Sequence, residues 1–240
     1  MKTLDKDQAL VLFSGGQDST TVLAYALHHY QSVQTVGFDY GQRHRVELDC
    51  RLDVLNRLKN DFPDWASKLG KDQLLRLSTF SSLSPSALTD ETAPLETGTH
   101  GLPTSFVPGR NLFFFHYAAV VAYHQDIGTL IGGMCETDYS GYPDCREATL
   151  NALNTTLNLG MDVEFDLITP LMHLSKAESW QMAFELGGAP LVSLIQEATH
   201  SCYKGERTEL HEWGYGCGVC PACELRQKGY EAWRVACDPV

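Results

Sequence analysis

Two groups of residues in this chain have the side chains and the spacing to do chemistry. The first is Ser14-Gly15-Gly16-Gln17-Asp18-Ser19, which follows the apolar run Leu10-Val11-Leu12-Phe13 and leads through Thr20 into a helical pattern. Adjacent glycines after a strand tolerate positive φ and place no Cβ in front of a ligand, so consecutive N–H groups can converge on one anion. A helix opening behind them adds unpaired N–H groups and a positive dipole end, which together suit a phosphate. The competing interpretation is an ordinary strand-to-helix turn capped by Asp or Ser. The second group is Cys217, Cys220 and Cys223, with Cys202 upstream. Thiolates at this spacing, in a Gly-containing turn, can hold a zinc ion tetrahedrally, and four of them make a closed structural site. An iron–sulfur cluster uses similar ligands, and His200 or His211 could replace one thiolate.

The elements that must position these groups follow from periodicity. Residues 8–13 read as a first strand, 19–30 as a helix, 33–38 as a β-branched second strand and 44–59 as an amphipathic helix, with a third strand at 73–77. Residues 78–109 are rich in Ser, Thr, Pro and Gly and lack periodicity, as expected of a lid or a partly disordered insert. An apolar helix at 112–124, a buried strand at 128–133, a polar loop at 135–146, a helix at 147–159 and a fifth strand at 163–168 come next. The helix at 175–186 has a capping box in Ser175 and Glu178 and is expected to stop at Gly187-Gly188. This alternation predicts an α/β fold: a doubly wound, five-stranded, mainly parallel sheet that binds ligands at its C-terminal strand ends. Residues 1–188 form that nucleotide-binding domain, and residues 189–240 a small metal-stabilised module.

Composition narrows the function. The chain has 240 residues, 43% of them hydrophobic, with no run of about 18 apolar residues that would cross a membrane. Eighteen basic and thirty acidic residues give a net charge of −12, which opposes non-specific nucleic-acid binding. With no export signal expected, the eight cysteines read as thiols or metal ligands in a cytoplasmic protein.

Ser14-Gly15-Gly16-Gln17-Asp18-Ser19 resembles the SGGxDS signature of the PP-loop ATP pyrophosphatases. Four more segments fit one branch of that superfamily: Phe38 to His44 (FDYGQRH), Val107 to Asn111 (VPGRN), Asp138 to Arg146 (DYSGYPDCR) and the cysteine cluster. Together they make the chain similar to the QueC family of queuosine biosynthesis, the 7-cyano-7-deazaguanine synthases. The resemblance implies an ATP-dependent ligase that adenylates 7-carboxy-7-deazaguanine, admits ammonia to form an amide, and adenylates the amide to reach the nitrile. It also implies structural Zn²⁺ on Cys202, Cys217, Cys220 and Cys223, Mg²⁺ with the nucleotide, and a homodimer.

Roles follow chemically. Leu10 to Thr20 and Gln42 are expected to border ATP, with Ser14 adding a hydroxyl and Asp18 either holding Mg²⁺ or bracing the loop. Arg110 offers a planar fork for a carboxylate or phosphate, and Lys176 an ammonium for the phosphates. With Asn111 beside it, Arg110 joins Asp138, Ser140, Tyr142, Asp144 and Arg146 as the expected substrate contacts; His44 is a weaker candidate near the nucleotide. Rival readings are a PP-loop enzyme acting on tRNA, which the negative charge opposes, a non-catalytic nucleotide-binding module, and a relative that attaches a deazaguanine to a protein.

Overall fold

The computed structural model describes residues 2–42, 46–77, 86, 88, 102–137 and 141–237. Five parallel strands form one sheet: β1 (Asp5–Leu12), β2 (Ser32–Asp39), β3 (Leu69–Arg76), β4 (Ile127–Ile131) and β5 (Asp166–Ile168), in the order β3-β2-β1-β4-β5. Helices α1 (Gln17–His29), α2 (Val46–Asp61), the short α3 (Pro63–Ala66), α4 (Arg110–His124), α5 (Glu147–Met161), α6 (Lys176–Ala198) and α7 (Pro221–Cys237) complete the main elements, with a two-residue hairpin, β6 (Leu210–His211) and β7 (Gly214–Tyr215), in the C-terminal part.

Successive side chains of a strand point to opposite faces, so a sheet buried on both sides must be apolar throughout its centre. β1 shows this: Ala9 and Val11 pack with α1, α2 and α6, while Leu10 and Leu12 pack with α4 and α5. β4 is buried at all five positions, whereas the edge strand β3 is exposed at Gly70, Lys71, Leu74 and Arg76. Trp213, Tyr230 and Trp233 of the C-terminal part join the same apolar core as Trp180 and Leu191.

The fold class is as expected, with adjustments at the boundaries. β3 begins at Leu69, ahead of the expected residue 73, and β5 shortens to Asp166–Ile168 while Val163 bridges to Lys2. The capping box is present: Ser175 Oγ accepts from Glu178 N at 3.3 Å and Glu178 Oε2 accepts from Ser175 N at 2.7 Å. The helical backbone stops at Gly187-Gly188 as expected: Gly188 takes φ 64°, ψ −162°, outside the helical region, and a second helical segment follows directly through Pro190 to Ala198, so α6 is two helices joined at a kink. Proline is tolerated there because it occupies the first turn of the resumed helix, where its missing N–H would be unpaired in any case. Residues 78–85, 87 and 89–101 of the expected lid lie outside the described residues.

Candidate active site

The chain leaves β1 toward β2 on one side and has β4 on the other, so the loops after these strands diverge and open a crevice between them. A cavity of about 570 Å³ fills it. One wall is the glycine loop. Gly15 sits at φ 91°, and a Cβ there would lie 2.7 Å from the Glu47 carbonyl oxygen. Gly16, and not Asp18 or Ser19, is the N-cap of α1, with no side chain capping it. Instead Ser19 Oγ lies 3.1 Å from Ser14 Oγ and accepts from Gly15 N at 3.2 Å, while Thr20 Oγ1 donates to Gly16 O at 2.9 Å. The first N–H groups of α1 are therefore left without side-chain caps beside the cavity, the arrangement that favours an anion.

Charges frame the loop. Lys176 Nζ, at the start of α6, lies 2.9 Å from both Asp18 carboxylate oxygens. Gly229 of α7 allows this approach: a Cβ there would sit 2.6 Å from Cβ and Cγ of Lys176. Arg51 of α2 is buried, donates from Nε to Phe13 O at 2.7 Å, and pairs with Asp72 of β3. Its guanidinium occupies the space above Gly37, where a Cβ would be 2.4 Å from Cζ. Arg226 of α7 is also buried at the cavity, donating to Trp213 O, Ile195 O and Ser201 Oγ. Burial pushes the Arg226 guanidinium down to about 10, against the attraction of Asp18.

The opposite wall is aromatic and polar. Arg110 opens α4, its Nη1 3.5 Å from Tyr40 Oη and its guanidinium 6.0 Å from the ring centres of both Tyr40 and Tyr142. Burial disfavours its charge, but Tyr40, Tyr142, Asp144 and Cys145 outweigh that and keep it cationic. Tyr142 Oη is 2.6 Å from Ser105 Oγ, and Asn111 Nδ2 is 3.2 Å from Cys145 Sγ.

The structure thus brings Leu12, Phe13, Ser14, Gly16, Gln17, Asp18, Ser19, Gln42, Arg110, Asn111, Tyr142 and Lys176 to one cavity. Leu10 and Val11 lie in the sheet core, Gly15 and Thr20 support the loop from behind, and Arg146 is exposed before α5. Asp144 is buried and accepts from Asn111 N at 2.9 Å, so its contact is the N-terminus of α4. Asp138, Ser140 and His44 lie outside the described residues. Sequence reasoning did not single out Glu47, Arg51, Ser105 or Arg226, and raised His200 only as a metal ligand; all five line the cavity.

The four cysteines converge beside this cavity. Their sulfurs lie within 4.8 Å of one another, with Cys202 to Cys220 and Cys217 to Cys223 each 4.0 Å. A tetrahedral ion with metal–sulfur bonds of about 2.3 Å needs sulfurs about 3.8 Å apart, so the set fits. Neither His200 nor His211 takes a thiolate's place: His200 Nε2 meets Cys202 O at 3.0 Å and His211 Nε2 meets Gly216 O at 3.0 Å. The backbone between cluster and loop is continuous in space, because His200 N donates to Gly15 O at 3.2 Å.

Comparison with known proteins agrees with this geometry. The family model described as "Queuosine biosynthesis protein QueC" matches residues 8–234. Proteins named 7-cyano-7-deazaguanine synthase from Burkholderia mallei and Burkholderia pseudomallei are each 59% identical over 233 residues, covering 97% of this chain and 95% of theirs. Among solved structures, a 4-thiouridine synthetase–RNA complex with bound ATP superposes with a TM-score of 0.53 at 16% identity. That match covers 94% of this chain but only 53% of the other, so it speaks for the shared fold alone. With a family model covering residues 8–234 and relatives 59% identical over 97% of its length, the chain belongs to the QueC family.

Proposed function

We propose that the chain makes 7-cyano-7-deazaguanine, the product for which its relatives are named, from 7-carboxy-7-deazaguanine, ATP and ammonia. One observation carries this reading: an anion-binding loop and an Arg110-centred aromatic wall share a single cavity, as the joining of ATP to an acidic heterocycle requires. A carboxylate resists nucleophiles because of its charge, and an acyl adenylate replaces that charge with a phosphate leaving group. The α1 N-terminus, Ser14 and Ser19 would hold the phosphates, and Lys176 would stabilise the departing pyrophosphate after loosening from Asp18. Arg110 and Asn111 would orient the acid while Tyr142 stacks on the base.

Mg²⁺ enters with the nucleotide, and Asp18 is the loop carboxylate available to it. The four thiols hold Zn²⁺ as a closed structural site within the module of residues 189–240. The protein works as a cytoplasmic homodimer on small molecules, and its charge of −12 disfavours a polynucleotide substrate. The test is product analysis: purified protein with ATP, ammonia and the carboxy-deazaguanine should release AMP, pyrophosphate and the nitrile. Metal-loaded, folded protein that forms neither AMP nor nitrile sinks the reading.

A further inference from the structure

The reaction proposed above has a proton problem that the residues discussed so far leave open. Ammonia adds to the acyl adenylate as its nitrogen forms a bond to carbon; AMP leaves with the electron pair of the C–O bond, and the nitrogen must shed a proton to become a neutral amide. In the second half the amide oxygen attacks the α-phosphorus and pyrophosphate leaves. The resulting adenylated imidate must then lose both nitrogen protons while its C–O bond breaks and AMP departs, leaving the C≡N group. Lys176, Arg51, Arg110 and Arg226 are cations and accept nothing at neutral pH. The acceptor has to be a carboxylate, an imidazole or water next to the reacting carbon.

Glu47 stands at that place. Its backbone carbonyl abuts Gly15 of the phosphate loop, and it lines the cavity together with Arg110, Tyr40 and Tyr142 of the opposite wall. The carbon that changes bonds must lie between phosphate and heterocycle, and Glu47 borders both. Among the described residues no hydrogen bond or ion pair ties up its carboxylate, whereas Asp18 is held by Lys176 and Asp144 caps α4. It is half-buried, which leaves a path for returning protons to water. We propose that Glu47 is the general base that takes the nitrogen protons in both halves of the reaction and passes them to solvent, so that its carboxylate is regenerated for each transfer. The assignment rests on the synthase reading of the site.

The surroundings suit that work. Burial pushes the Glu47 carboxyl up to about 7, with the Arg110 cation opposing the shift. A base poised near the working pH combines a useful ionised fraction with enough basicity to accept a proton. The other titratable groups nearby are Tyr40, after β2, and Cys50, on the same helix. Both are raised by burial and neutral in this range, and Arg51 is cationic; the imidazole of His200 also lines the cavity, but its Nε2 is engaged with Cys202 O at 3.0 Å.

The test uses the carboxamide of the deazaguanine with ATP and no added ammonia, which isolates nitrile formation from the ionisation of ammonium. The wild-type rate should fall as pH drops through about 7. Glu47→Gln should lower kcat by about 100- to 10,000-fold, abolish that pH dependence, and leave ATP affinity, metal content and melting temperature close to wild type. Glu47→Asp should keep the pH dependence at a reduced rate. A merely helix-stabilising Glu47 would move neither the profile nor kcat. Wild-type nitrile formation with an unaltered rate and pH profile in Glu47→Gln overturns the proposal, as does a wild-type profile flat from pH 6 to 8. Should Glu47→Gln fail to fold, the wild-type profile and Glu47→Asp still decide. No nitrile from wild type would instead condemn the synthase reading itself.

Discussion

A buried ammonium needs a counter-charge, and Lys176 has one in Asp18, with side chains 8% and 30% exposed and both carboxylate oxygens at 2.9 Å. Removing the carboxylate takes this counter-charge away from a cation in a low-dielectric site, whereas removing both partners leaves no cation to compensate. Asp18→Asn should therefore cost about 1–3 kcal/mol of stability, discounted from a fully buried pair for Asp18's partial exposure. The double variant Asp18→Asn, Lys176→Met should recover part of that loss. Both should be inactive in AMP formation, since the loop's carboxylate is gone. Thermal melts with an AMP assay check this; a single variant as stable and as active as wild type removes the pair from the account. At this scale the sequence was informative only where residue type restricts chemistry. Ser14, Asp18 and the four cysteines announced themselves by spacing. Glu47, Arg51 and Arg226 did not, because each is one charged residue among many on a helix, and only tertiary packing turns it into a buried group at the cavity. Asp144, expected from its polar loop to touch substrate, also accepts from Asn111 N at the start of α4, a contact that loop composition does not predict.

The glycine loop after β1 is held in shape by elements distant in the chain. Arg51 reaches from α2 over the backbone of Gly37 to grip Phe13 O, the last carbonyl before the loop, and is held in turn by Asp72 on β3. Gly37 takes no unusual φ; its missing side chain is what matters, since a Cβ would meet the rigid guanidinium at 2.4 Å. Gly37→Ala should displace Arg51, lower stability by about 1–3 kcal/mol through overpacking, and weaken ATP binding measurably by calorimetry. Unchanged ATP affinity would show that the Phe13 contact has no bearing on the loop. No local pattern in β2 predicts this, because the clash is between residues brought together by the sheet. The strands and long helices were legible, since a sheet buried on both faces forces continuous apolar runs and each crossover helix carries its own period. The stop at Gly188 was legible because two glycines break a helix, but the second segment that follows was not, since its proline falls in a first turn where the missing N–H costs nothing.

Across the whole molecule, the four-cysteine cluster and the glycine-loop cavity proposed to bind ATP are mechanically one. The segment entering the cluster donates His200 N to Gly15 O, α7 carries Cys223, Arg226 and Gly229 in successive turns, and Gly229 supports the stem of Lys176. Metal binding should therefore contribute to catalysis without touching substrate. If the cluster holds zinc as proposed, Cys220→Ser should lower bound metal, measured by elemental analysis, together with melting temperature and ATP affinity, because the affinity of such a site contributes to folding free energy. A metal-free variant of full stability and full ATP affinity would make the site incidental, and iron in place of zinc would revise its chemistry. That the two sites would meet could not be read from the chain, where about 180 residues separate Ser19 from Cys202. The central claim is that the cavity joining them activates first a carboxylate and then the amide made from it. Its most direct measurement is the stoichiometry of AMP to nitrile from 7-carboxy-7-deazaguanine, ATP and ammonia. The account predicts two AMP for each nitrile formed from the acid and one from the amide; a single AMP per nitrile from the acid, or AMP with no nitrile at all, would contradict it.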